Sequence, residues 1–90
     1  MGIQKVDYKL GSIEIFPNPN NGIFTISVSN TSIDEGVLRI YNYTGQQVSE
    51  SEVSFANRNA MINLKDLPAG LYYIEISNSN LRCTGKLIIN

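Results

Sequence analysis

Hydrophobic residues recur at every second position over short stretches of this chain, and nowhere at the three-to-four residue spacing of a helix. Side chains of a strand alternate between its two faces, so each such stretch predicts a half-buried strand. Ile13-Glu14-Ile15-Phe16 is the first. Residues 23–29 are the second, with Phe24, Ile26 and Val28 on one face and Thr25 and Ser27 on the other. Residues 37–43 form a third with Leu38 and Ile40 inward, residues 47–55 a fourth, and residues 60–64 a fifth with Ala60, Ile62 and Leu64 in phase. The sixth is the most regular, placing Tyr72, Ile74 and Ile76 on one face, and the last runs over residues 81–89 with Leu81, Cys83, Leu87 and Ile89 in phase. The fourth contains a conflict. Val48 sits on an even position while Val53 and Phe55 sit on odd ones, and a slip of one residue flips a strand's face, so a bulge or bend is predicted near residues 50–52.

Turn chemistry separates the stretches. Pro17-Asn18-Pro19-Asn20-Asn21-Gly22 stops the first, because proline cannot donate to a ladder and Asn-Gly favours tight turns. A polar loop covers residues 30–36, Thr44-Gly45-Gln46 closes a hairpin, and Asn57-Arg58-Asn59 and residues 77–80 turn the chain twice more. Leu67-Pro68-Ala69-Gly70 leads into the sixth strand just ahead of Tyr72. A tyrosine so placed matches the tyrosine corner of immunoglobulin-like sandwiches, in which the hydroxyl bonds main chain a few residues upstream. Together these elements predict a seven-stranded antiparallel Ig-like β-sandwich over residues 12–90. Residues 1–11 lack a period and read as a linker or lead-in.

Length and composition narrow the chemistry. Ninety residues hold one domain with a modest core, and 7 basic against 8 acidic residues, with no basic run, argue against a binder of phosphate backbones. The chain has no histidine, which removes the commonest general base and transition-metal ligand together. Its single cysteine, Cys83, lies on an inward face and reads as a small buried hydrophobe. Glu50 and Glu52 share a strand face, where carboxylate pairs serve solvation far more often than catalysis; Asp34-Glu35 has too few oxygens for a calcium motif. Two stretches, Asn30-Thr31-Ser32 and Asn42-Tyr43-Thr44, fit the short glycosylation pattern, which carries little weight alone. No catalytic residue, metal site or cofactor is expected. Met1-Gly2 reads as the start of a piece cut from a longer protein, with any export signal upstream.

Four segments in order carry a family resemblance. They are Ile-Phe-Pro-Asn-Pro-Asn-Asn-Gly at 15–22, Ile-Tyr-Asn-Tyr-Thr-Gly-Gln-Gln-Val at 40–48, Leu-Pro-Ala-Gly-Leu-Tyr at 67–72 and Lys-Leu-Ile-Ile at 86–89. In that order the chain, from about Ile13 to Asn90, resembles the type A C-terminal sorting domain of the Por, or type IX, secretion system of Bacteroidetes-type secreted proteins. The resemblance implies an Ig-like, non-catalytic secretion signal that directs an exported passenger through the outer-membrane translocon. It further implies a covalently linked upstream passenger, and removal by a sortase-like peptidase that joins the passenger to the surface. Transit through the periplasm to the cell surface or medium is implied as well. Cleavage would fall in or ahead of residues 1–11.

Carried over by position, Pro17, Asn18, Pro19 and Gly22 match the first motif, and Gly70 with Tyr72 the central one, with Gly45 a turn residue between them. Lys86, Leu87, Ile88 and Ile89 match the terminal segment and are the candidates for translocon recognition, which an apolar strand can support by strand addition. An unpaired terminal strand would also offer an edge for self-association. Many family members end in a basic residue; this chain ends in Asn90, which leaves Lys86 as the segment's one charge. The alternative function is an accessory Ig-like module that binds carbohydrate or stabilises its passenger, with Tyr41, Tyr43 and Tyr73 on the faces opposite the core as its aromatic residues.

Overall fold

The computed structural model describes residues 9–29, 33–79 and 81–90. Seven strands follow in order: β1 (Lys9–Phe16), β2 (Ile23–Ser29), β3 (Glu35–Asn42), β4 (Gln47–Ser54), β5 (Asn59–Asn63), β6 (Gly70–Ser77) and β7 (Leu81–Ile89). Hydrogen bonds link them in the order β4-β3-β6-β7-β1-β2-β5. This single ladder is a sandwich because β1 changes sheets. Its first half pairs with β7 from Lys9↔Leu81 to Ser12↔Thr84, and its second half pairs with β2 from Ser12↔Ser29 to Phe16↔Thr25. One layer is therefore β4-β3-β6-β7 and the other is β2-β5, with β1 closing the seam.

The predicted inward faces form the core. Phe24, Ile26 and Val28 of β2 join Leu38 and Ile40 of β3, Tyr72, Ile74 and Ile76 of β6, and Leu81, Cys83, Leu87 and Ile89 of β7 in one buried cluster. Cys83 is wholly buried, as the alternation of its strand required. Ile33, from the loop ahead of β3, is buried there too. Residues 30–32 and most of the expected lead-in lie outside the described residues, including the Asn30 glycosylation pattern.

Two features differ from the sequence expectation. First, β1 begins at Lys9, and it runs parallel to β7, so five of the six strand pairings among the described residues are antiparallel. Periodicity could not reveal this pairing, because it joins segments about seventy residues apart. Second, the slip in β4 falls earlier than predicted. Ile40 pairs with Ser49 and Tyr41 with Gln47, so Val48 is the extra residue, and it is exposed. The four-residue connection between β3 and β4 fixes the register at its mouth, and the surplus is absorbed there. The turn expected at Asn57-Arg58-Asn59 is present: it is built on Asn57 and Arg58, both with positive φ (52° and 66°), and closed by reciprocal main-chain bonds between Ala56 and Asn59 of 2.9 Å.

Candidate functional site

The first and last family segments meet. After β1, both X-Pro bonds of the loop are cis, and the loop returns to the end of β7. The Asn18 side-chain amide there takes the place of a strand residue: Nδ2 donates to the Lys86 carbonyl (3.0 Å), and Oδ1 accepts from the Ile88 amide (2.9 Å). Asn20 continues the pairing with its main chain, its N–H donating to Ile88 O (3.0 Å) and its carbonyl accepting from Asn90 N (2.7 Å). The Asn20 side chain meanwhile ties the loop to itself, Nδ2 donating to Pro17 O (2.8 Å) and Oδ1 accepting from Gly22 N (2.8 Å). Each of the four polar atoms of this 5% exposed residue has a partner.

The glycines on either side are sterically required. Gly22 has φ 104° and donates no space: a Cβ there would lie 2.9 Å from Leu64 O, while its own carbonyl accepts from Leu64 N at 2.7 Å. Gly85 sits between the part of β7 paired with β1 and the part paired with the loop. A Cβ on it would lie 2.8 Å from Ile13 Cδ1 and 3.3 Å from Ile15 Cδ1. β1 switches sheets at this point, and its two isoleucines occupy the volume a side chain would need.

These contacts correct one expectation. The outer edge of β7 is covered by β1 from Leu81 to Thr84 and by the loop at Lys86, Ile88 and Asn90, so the segment 86–89 does not present the free edge that strand addition or self-association would use. Of its side chains, Leu87 and Ile89 are buried, and Lys86 and Ile88 face out.

The central segments are structural in the same way. Tyr72 is 6% exposed and its hydroxyl donates to Pro68 O at 2.6 Å, which makes the predicted tyrosine corner. Gly70 opens β6 (φ 156°), with only Tyr72 Cε2 near its Cα hydrogens at 3.8 Å from an ideal Cβ. In the β3–β4 hairpin, Asn42 Oδ1 accepts from Thr44 N (3.1 Å), Thr44 Oγ1 (2.7 Å) and Gln46 N (2.9 Å), and Gly45 takes φ 87°. Asn42 is thus the organiser of a turn.

The outward face of the four-stranded layer holds an ion network. Glu75, with a side chain 12% exposed, accepts from Arg82 Nε (2.8 Å) and Nη2 (2.6 Å) and pairs with Arg39 Nη1 at 3.5 Å. Arg39 also donates to Ser77 Oγ (3.1 Å) and, through Nε, to Glu50 (3.1 Å). The hydrogen bond to Glu50 raises the Arg39 pKa above its ordinary value, outweighing the opposite effect of burial. Glu50 is therefore an ion-pair partner, and Glu52 stands opposite Val37. Sequence reading missed both this network and Asn20. The network needs the strand order to bring residues 39, 50, 75 and 82 together; Asn20 had a local signal in its position two before Gly22, as in an Asx turn. Among the described residues no group of three or more His, Cys, Asp or Glu side chains could hold a metal ion.

An Ig-like sandwich, with its sequence motifs concentrated in main-chain clamps, is the class this geometry defines. The chain belongs to the secretion system C-terminal sorting domain family, whose model matches residues 14–90. That makes it a type IX sorting signal of an exported protein, destined for the cell surface or extracellular space. It is 30% identical over 83 residues to the ulvan lyase NLR42 of Nonlabens ulvanivorans; the match covers 91% of this chain and 15% of the lyase. Among solved structures it resembles the M1 domain from titin (TM-score 0.48, 14% identity, 90% of this chain and 86% of that one). It also resembles the titin kinase with its flanking domains (TM-score 0.47, 15% identity, 89% and 15%).

Proposed function

We propose that this domain is the carboxyl-terminal address of a larger secreted passenger, recognised at the outer membrane through the outward side of its terminal strand. The observation that carries the reading is the family match over residues 14–90, which spans the latched fold from β1 to the last residue. The lyase relative, of which the matched segment is 15%, offers a precedent for an enzyme as passenger. Removal by a sortase-like peptidase, with cleavage in or ahead of residues 1–11 and attachment of the passenger to the surface, completes the proposed route.

Recognition is assigned to Lys86 and Ile88, because they are the members of the terminal segment whose side chains face solvent. Leu87 and Ile89 support it from the core. The test is export of a fluorescent reporter fused to residues 3–90 in a bacterium with a type IX system. Deleting residues 86–90 would remove two core residues and every bond that ties the terminal strand to Asn18 and Asn20, confounding folding with recognition. The double variant Lys86→Glu, Ile88→Glu leaves those contacts in place. Export of the parent fusion, with loss of export by a folded double variant, supports the assignment. Equal export of the two places recognition elsewhere, and no export of a folded parent overturns the sorting route.

A further inference from the structure

The outward face beside the terminal strand carries a second feature whose residues, apart from the shared Lys86, the sorting assignment does not use. Tyr41 of β3, Tyr73 of β6 and Lys86 of β7 stand opposite one another in a single row across three neighbouring strands. Neighbouring strands lie about 4.8 Å apart, so two phenol rings and an ammonium group sit side by side. Along β7, Thr84 and Arg82 extend the row at a right angle, two residues apart on the same face. Together with Glu75 and Gly85 these residues line a shallow groove of about 470 Å³, continuous at Glu75 and Arg82 with a second of about 300 Å³ that reaches Arg39, Ser77 and Asn78.

Charge is concentrated here. Three of the chain's 7 basic residues, Arg39, Arg82 and Lys86, line the two grooves of a protein with net charge −1. The opposing carboxylates are Glu75, held between the arginines, and Glu50, bonded to Arg39 from the neighbouring strand. Lys86 makes no ion pair among the described residues, and the Arg82 side chain is 55% exposed. The positive end of the face is therefore the end that carries the tyrosines.

We propose that this groove binds an anionic saccharide, a sugar ring bearing a carboxylate or sulfate. The ring packs its C–H face on Tyr73 and Tyr41, and the anion lies between Lys86 and Arg82. Main chain in the middle of the sheet is engaged in the ladders of β3, β6 and β7, so an extended peptide finds no backbone partners there. What the face offers is flat aromatic surface, hydroxyls and cations, and these suit a ligand that brings an apolar ring face, its own hydroxyls and a negative charge.

Titration of the isotope-labelled domain with trigalacturonate, a sulfated disaccharide, neutral cellotriose and a glutamate-rich hexapeptide, followed by amide NMR, tests this without any export step. A failure here is thus separate from a failure of the sorting reading. An acidic sugar should move the amides of Tyr73, Thr84 and Lys86 saturably, with affinity about tenfold or more above that of cellotriose. The arm that binds tighter names the anion. Tyr73→Ala should weaken binding about tenfold, and Lys86→Gln should erase the preference for acidic over neutral sugar. Absence of saturable shifts, equal affinity for cellotriose, or hexapeptide binding as tight as that of the sugars overturns the proposal. So does indifference to Tyr73→Ala, and should that variant fail to fold, Lys86→Gln decides alone.

Discussion

Two asparagine loops use the same device over different distances. In the β3–β4 hairpin, Asn42 accepts main-chain bonds from residues two and four positions away, so everything it organises lies inside its own turn. In the loop after β1, Asn18 reaches residues 68 and 70 positions away and substitutes its amide for a strand residue along β7. Asn20 does both, folding its loop with its side chain and pairing with the terminal strand through its main chain. The difference teaches that one residue type in one kind of turn can be a local organiser or the fastening of a chain end. What decides is which edge the fold leaves beside it. β7 would otherwise expose main chain from Gly85 to Ile89, past its pairing with β1, and such an edge templates association.

The comparison breaks most strongly at Asn20. Asn20→Ala leaves the part-buried Pro17 O and the buried Gly22 N without partners, and should cost about 2–4 kcal/mol in urea unfolding. The amides of Ile88 and Asn90 should exchange faster, because the loop that positions their neighbours loosens. A loss below about 1 kcal/mol would mean that water replaces the amide and that the latch is held from elsewhere.

Asn18→Ala comes next, at about 1–2 kcal/mol, because its two bonds are made at an exposed site. Its more telling effect is on association. With Lys86 O and Ile88 N uncovered, light scattering should detect concentration-dependent dimers that the parent lacks. A variant that stays monomeric at every concentration would show that the Asn20 pairing alone guards the edge. Tyr72→Phe removes another clamp from side chain to main chain, the bond to Pro68 O, and should lower stability by about 1 kcal/mol with no change in association.

Much of this was legible in the sequence, and the boundary of what was legible is physical. Alternation identified the inward faces of β2, β3, β6 and β7, because burial on one side of a strand forces period 2. The tyrosine corner was legible because proline, glycine and tyrosine carry its geometry within five residues. The Val48 bulge was legible in kind and misplaced, since the phase change is seen only where hydrophobic residues resume, at Val53, whereas the register is set at the hairpin. The parallel pairing of Lys9 with Leu81 and the ion network around Glu75 could not be read, because both depend on which strands become neighbours. Among four asparagines at 18, 20, 21 and 42, composition offers no ranking. The position of Asn20 two before Gly22 marks it locally as an Asx-turn residue, but its pairing with the terminal strand depends on where β7 lies.

Asn42→Ala sharpens the comparison from its weak side. Its oxygen accepts from three donors, yet all of them are exposed and water can serve each when the side chain is gone. The Gly45 N–H to Asn42 carbonyl bond and the Asn42 N–H to Gln46 carbonyl bond, each 2.9 Å, remain available to close the hairpin without the side chain. The expected loss is about 0.5–1 kcal/mol, with faster amide exchange confined to Thr44 and Gln46 and none at Ile88 or Asn90. If exchange at β7 rises as well, the hairpin and the terminal strand open as one unit across β6. The contrast between a local and a long-range asparagine would then be one of degree, since β3 and β7 flank the same central strand.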